Sequence, residues 1–134
     1  MKRKNMAKFS GIALMLYSVF ASAASPVGYW EITSYVEPNL AFGVANKVCF
    51  LSNGTWTSYT FPGANGTWFQ KGDRLRTTAY SPQNQWMHGL FGQFANNNEF
   101  TGEYIGFVLN GNTVQTTEKG NFIAKRAGRA CPVL

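Results

Sequence analysis

Histidine and cysteine are nearly missing from this chain: its 134 residues include one of the first and two of the second. Once the two cysteines pair, metal binding would need clustered histidines or carboxylates. The six acidic residues, Glu31, Glu37, Asp73, Glu99, Glu103 and Glu118, offer no such cluster. We therefore expect neither a metal nor a cofactor. No segment carries an apolar stripe of helical period. Past residue 20 no apolar run approaches the roughly 20 residues that span a bilayer. Beyond the first ten positions the basic residues are dispersed, with no run that would track a phosphate backbone. Nucleic acid is not an expected partner.

The N-terminus has its own pattern. Lys2, Arg3, Lys4 and Lys8 precede an apolar stretch from Phe9 to Phe20, and Ala21-Ser22-Ala23 then supplies small residues. This is the three-part order of a secretory signal, with cleavage expected after Ala23. The expected organisation is residues 1–23 as signal peptide and 24–134 as one domain. The apolar run is too short for a membrane anchor, so no span is expected after cleavage. Four of the twelve basic residues leave with the leader, so the mature chain has eight against six acidic ones, a net of +2. The sequence pI of about 9.6 belongs mainly to the precursor. An exported chain, periplasmic or extracellular, meets oxidising conditions, and its two cysteines, Cys49 and Cys131, are expected to form one disulfide.

The mature chain is punctuated by turn signals. They are Ser52-Asn53-Gly54, Pro62 to Gly66, Lys71-Gly72-Asp73, Ser81 to Asn84, Ala95 to Asn98, Asn110-Gly111-Asn112 and Glu118 to Asn121. Asn and Gly tolerate the backbone of tight hairpins, so Asn53-Gly54 and Asn65-Gly66 read as turns rather than glycosylation acceptors. Between the turns lie runs of Thr, Val, Ile and aromatics. From Arg74 to Tyr80, Leu75, Thr77 and Ala79 alternate with polar residues, the period of a half-buried strand. Eight or nine strands are predicted, near Tyr29–Val36, Lys47–Leu51, Thr55–Phe61, Thr67–Gln70, Arg74–Tyr80, Trp86–Phe94, Glu99–Val108, Thr113–Thr117 and Phe122–Arg126. Residues 37–45 read as the longest loop, with room for a helical turn. The expected fold is all-β: an antiparallel up-and-down meander of about eight strands closed into a small barrel, with a β-sandwich as the alternative.

A Gly-x-Trp form recurs at Gly28-Tyr29-Trp30, Gly54-Thr55-Trp56 and Gly66-Thr67-Trp68. These rings either plug the core or line a ligand site. A Gly-x-Trp opening the first strand, with an arginine in the last, resembles the calycin barrels, the lipocalins, avidins and their relatives. The matching residues are Gly28, Trp30 and Arg126. Thr101-Gly102-Glu103-Tyr104 is similar to strand openings of avidin-type barrels. The resemblance implies a barrel whose tryptophan closes one end, with the arginine packed across it. The chain is shorter than a typical lipocalin, which leaves little room for a large cavity.

The inventory argues against an enzyme. His88 lies in an apolar stretch, where a lone histidine reads as structural. Nothing in the spacing of Asp73, Glu99 and Glu103 marks a catalytic pair. The expected function is non-catalytic binding of a small apolar or sugar-like ligand at a barrel mouth lined by Trp30, Trp56, Tyr59, Trp68, Trp86 and Tyr104. The alternative is a protein-binding module, such as an inhibitor of a secreted hydrolase. It would act through the mature N-terminus or the loops at Leu40–Val44 and Ala95–Asn98.

Overall fold

A computed structural model describes residues 23–83 and 85–133. The expected signal peptide, Ala23 apart, lies outside them. Eight strands follow in chain order: β1 (Gly28–Val36), β2 (Gly43–Phe50), β3 (Thr55–Ser58), β4 (Asn65–Lys71), β5 (Arg74–Ser81), β6 (Trp86–Asn96), β7 (Glu99–Asn110) and β8 (Thr113–Gly128). Each pairs antiparallel with the next, and β8 returns to β1, closing the barrel. This is the expected meander, and the sandwich alternative does not apply. Among the described residues, closure leaves no edge strand to pair with another chain,. Cys49, near the end of β2, is bonded to Cys131 in the tail, their Cα atoms 5.7 Å apart.

Alternation sets which side chains enter the barrel. β5 shows it most plainly: Leu75, Thr77, Ala79 and Ser81 are buried, and Arg74, Arg76, Thr78 and Tyr80 face out, as the period of two requires. Trp86, His88, Leu90 and Phe94 of β6 and Phe100 and Tyr104 of β7 share that inner face with them.

Several predicted boundaries move. The last two predicted strands are one, β8, because Glu118 to Asn121 makes no turn. Gly120 pairs with Val36 of β1 and Tyr104 of β7. A Cβ there would lie 1.9 Å from the Tyr35 carbonyl oxygen, so this glycine allows a close strand approach rather than a reversal. β2 begins at Gly43 instead of Lys47, and the connection shrinks to residues 37–42, without a helix. Val44 and Asn46 face in near the barrel rim, where burial is too slight to leave a clear apolar period. β3 stops at Ser58 instead of Phe61. The Ser58 hydroxyl accepts the Phe61 N–H at 2.8 Å, a local bond that overrides the β propensity of Tyr59 to Phe61. Asn65-Gly66 opens β4 and makes no turn, which falls just before it.

One end of the barrel is sealed. Trp30, Phe50, Phe94, Phe100 and Phe122 pack there, with Phe100 the hub: its ring centroid lies 4.8 Å from Trp30, 5.1 Å from Phe94 and 5.6 Å from Phe122. The segment 24–27 crosses beneath them. The Trp30 indole donates to the Pro26 carbonyl at 2.7 Å. The Arg126 guanidinium sits 4.4 Å from the Trp30 ring centroid and donates to the carbonyls of Ser25, Val27 and Asn97. Gly28 adopts a φ of +130°, and a Cβ on it would lie 2.8 Å from the Arg126 Nη1. Gly28, Trp30 and Arg126 thus lie against one another at this end, with the arginine packed across the tryptophan.

Candidate functional site

The opposite end holds a cavity of about 430 Å³, within the size range of small-molecule sites. Phe50, Leu90, Val48 and Ile32 supply its apolar depth, and Val36, Val44, Phe61, Trp86 and Glu118 rise toward the rim. The short chain led us to expect little interior. The lower half is filled as expected, but in the upper half Ser34, Thr77 and Ser81 stand where larger side chains would close the space.

Of the six aromatic candidates, the structure brings three together at this cavity: Trp56, Trp86 and Tyr104. The Trp56 indole donates to the Thr78 carbonyl at 3.0 Å, crossing Gly66, its partner on β4. Trp30 lies at the sealed end, fully buried. Trp68 also points inward, but low in the barrel, where its indole donates to the Leu51 carbonyl at 2.9 Å. Tyr59 is outside, edge-on to Tyr29, its hydroxyl donating to the Pro132 carbonyl at 3.0 Å.

His88 stands at the centre of the three cavity aromatics. Its ring stacks on Trp86 with centroids 4.3 Å apart, and lies 5.7 Å from both Trp56 and Tyr104. It is 8% exposed, and neither ring nitrogen has a hydrogen-bond partner. Desolvation lowers its pKa to about 4, so the imidazole is neutral near pH 7. Thr77, 3% exposed, likewise has an unpartnered hydroxyl. Tyr104 is turned toward Glu118, to which its hydroxyl donates at 3.2 Å. Burial, then the Glu118 charge, holds the Tyr104 pKa well above the usual phenol range.

Gly106 makes room for this cluster. It pairs with His88 across β6 and β7, and a Cβ on it would lie 2.5 Å from the Tyr104 hydroxyl and 3.1 Å from the Trp86 indole nitrogen. Sequence reasoning placed His88 in the structural framework and passed over Thr77. One signal could have marked both. On the inward parity of β5 and β6, Thr77 and His88 are polar positions among Leu75, Ala79, Trp86 and Leu90.

Of the three surfaces considered for a protein partner, Ala95–Asn98 is an exposed turn at the sealed end, where the Asn97 carbonyl accepts from Arg126; the other two differ. Residues 24–27 are tied under the barrel, where the Gln70 amide also holds the Ala24 carbonyl. The loop at the rim is exposed, with Phe42 at 73% and Leu40 near half, whereas Val44 belongs to β2 and lines the cavity. Among the described residues, no three His, Cys, Asp or Glu side chains gather as a metal would require. Likewise, no described helix is long and apolar enough to cross a membrane. Compared with known protein families, with curated proteins and with solved structures, the chain matches none.

Proposed function

We propose that this protein is an exported, non-catalytic binding barrel of calycin-like build that takes a small, largely apolar ligand through its open end. The observation that carries this reading is the cavity of about 430 Å³ walled by Trp56, Trp86, His88 and Tyr104, set above a sealed aromatic floor. A mostly apolar concavity with a few convergent polar groups is the usual form of a small-molecule site. The calycin likeness rests on the eight-stranded meander and on Gly28, Trp30 and Arg126 at the sealed end. The disulfide is compatible with export,. Binding is favoured over catalysis because no carboxylate orients His88 as a base,.

Tryptophan fluorescence of the oxidised 24–134 chain, titrated with lipids, sugars and small aromatics, tests the reading. A saturable change that survives Trp68→Phe and disappears in a cavity-filling Leu90→Trp variant supports it. A flat response across the panel overturns it.

The exposed Leu40 and Phe42 favour a second reading, docking of a secreted hydrolase or other exported protein at the rim,. A stable complex lost in Phe42→Asp, with no response to small molecules, would put that reading first.

A further inference from the structure

The deep wall of the cavity bears a more specific chemical demand than its aromatic rim. Thr77 lies directly across from Leu90, and His88 across from Ala79, on the inner faces of β5 and β6. Thr77 and His88 are therefore diagonal neighbours on one face, a spacing of roughly 7 Å between backbones that brings their side chains within reach of a common group. Both are more than nine-tenths buried, both line the cavity, and three of their polar atoms have no partner. Buried polar atoms in native proteins are nearly always hydrogen-bonded, and each one left unsatisfied needs an explanation. A ligand that bonds them supplies one.

Resting on the binding reading above, we propose that Thr77 and His88 receive the hydroxyl end of an uncharged, flat or apolar ligand, inserted polar end first. Neutral imidazole offers one donor and one acceptor nitrogen, and the threonine hydroxyl does both. The matching group must itself donate and accept, as an alcohol or phenol does and an ether does not. A carboxylate would bring a bare charge into a wall of neutral groups, past Glu118 nearer the rim. A sugar would carry more hydroxyls than this apolar depth can satisfy. The body of the ligand lies toward the open end, among Trp56, Trp86 and Tyr104.

Isothermal titration of the oxidised 24–134 chain with naphthalene, 2-methoxynaphthalene, 2-naphthol and 2-naphthoate separates these demands. We expect 2-naphthol to bind roughly tenfold tighter than either naphthalene or the methyl ether, the worth of one satisfied buried hydrogen bond, and 2-naphthoate to bind weakest. Thr77→Val, a shape-conserving change, should erase most of that preference while naphthalene binds as before; His88→Phe is the companion variant. His88 is the chain's single histidine, so its ¹⁵N resonances report the bond directly, shifting with 2-naphthol and not with naphthalene. Equal binding of all four, or a preference unchanged in Thr77→Val, overturns the polar-end assignment and leaves the binding barrel standing. So does tighter binding of the carboxylate. If none of the four binds and the wider panel is also silent, the binding reading itself falls.

Discussion

The two halves of the barrel are built from the same eight strands and solve opposite problems. In the sealed half, Trp30, Phe50, Phe94, Phe100 and Phe122 interlock, and the polar groups among them are met: the Trp30 indole by Pro26, the Arg126 guanidinium by three carbonyls. In the open half, Gly106, Ser34 and Thr77 keep space clear, and His88 and Thr77 hold buried polar atoms without partners. Packing density stabilises a fold, whereas space lined with unmet hydrogen bonds costs stability and can serve recognition. On the proposed reading the difference gives stability to one end and binding to the other, and each half of that reading can be broken by substitution.

The largest expected effect is at the hub of the sealed end. Phe100→Ala should cost about 4 kcal/mol in denaturant unfolding, while ligand affinity per folded molecule is retained. A loss near 1 kcal/mol would mean that the sealed end is less tightly packed than its ring contacts indicate.

Acid comes next, and it acts at the other end. His88 has a folded pKa of about 4 against 6.5 for the free side chain. The unfolded chain therefore binds this proton more readily than the folded one. The stability that neutral His88 secures is fully present above pH 6.5, falls as pH drops toward 4, and changes no further below that. The gap corresponds to about 3 kcal/mol. Unfolding measured from pH 7 to 4 should show this slope, and His88→Phe should flatten it.

Arg126→Met tests the strap beneath the floor. Losing the charge-assisted bonds to Ser25, Val27 and Asn97 should cost about 2 kcal/mol. It should also speed hydrogen exchange at the Trp30 indole, whose acceptor, Pro26, lies in the released segment. The smallest effect has the opposite sign. Thr77→Val removes an unsatisfied hydroxyl without changing shape, and the unliganded protein should gain about 1 kcal/mol, read as a raised unfolding midpoint. If it loses stability instead, Thr77 belongs with the structural residues and the contrast between the halves weakens.

Much of the sealed end was legible in the sequence. The alternation of Leu75, Thr77 and Ala79 gave β5 its faces, and Gly28, Trp30 and Arg126 marked a closed barrel end by resemblance. The cavity was harder to read because residue type does not carry height along a barrel. Trp30, Trp56, Trp68 and Trp86 are alike in sequence, yet the register places two low in the barrel and two at the cavity. His88 took its meaning from other strands: Gly106 opposite it on β7 and Thr77 diagonal to it on β5. Gly120-Asn121 misled for a related reason, because a glycine needed for close approach looks the same as one needed for a turn.

The bond between Cys49 and Cys131, 82 positions apart, makes most of the chain a covalent ring. Of the four connections at the open end, those at residues 59–64, 82–85 and 111–112 lie inside the ring, and only the one at 37–42 lies outside. A protease that cuts any one of those three leaves a single molecule, heavier by one water, whose fragments part only when a reductant is added. The rim can be nicked at these loops while the severed strands stay beside their neighbours, so damage at the entrance need not scatter the barrel.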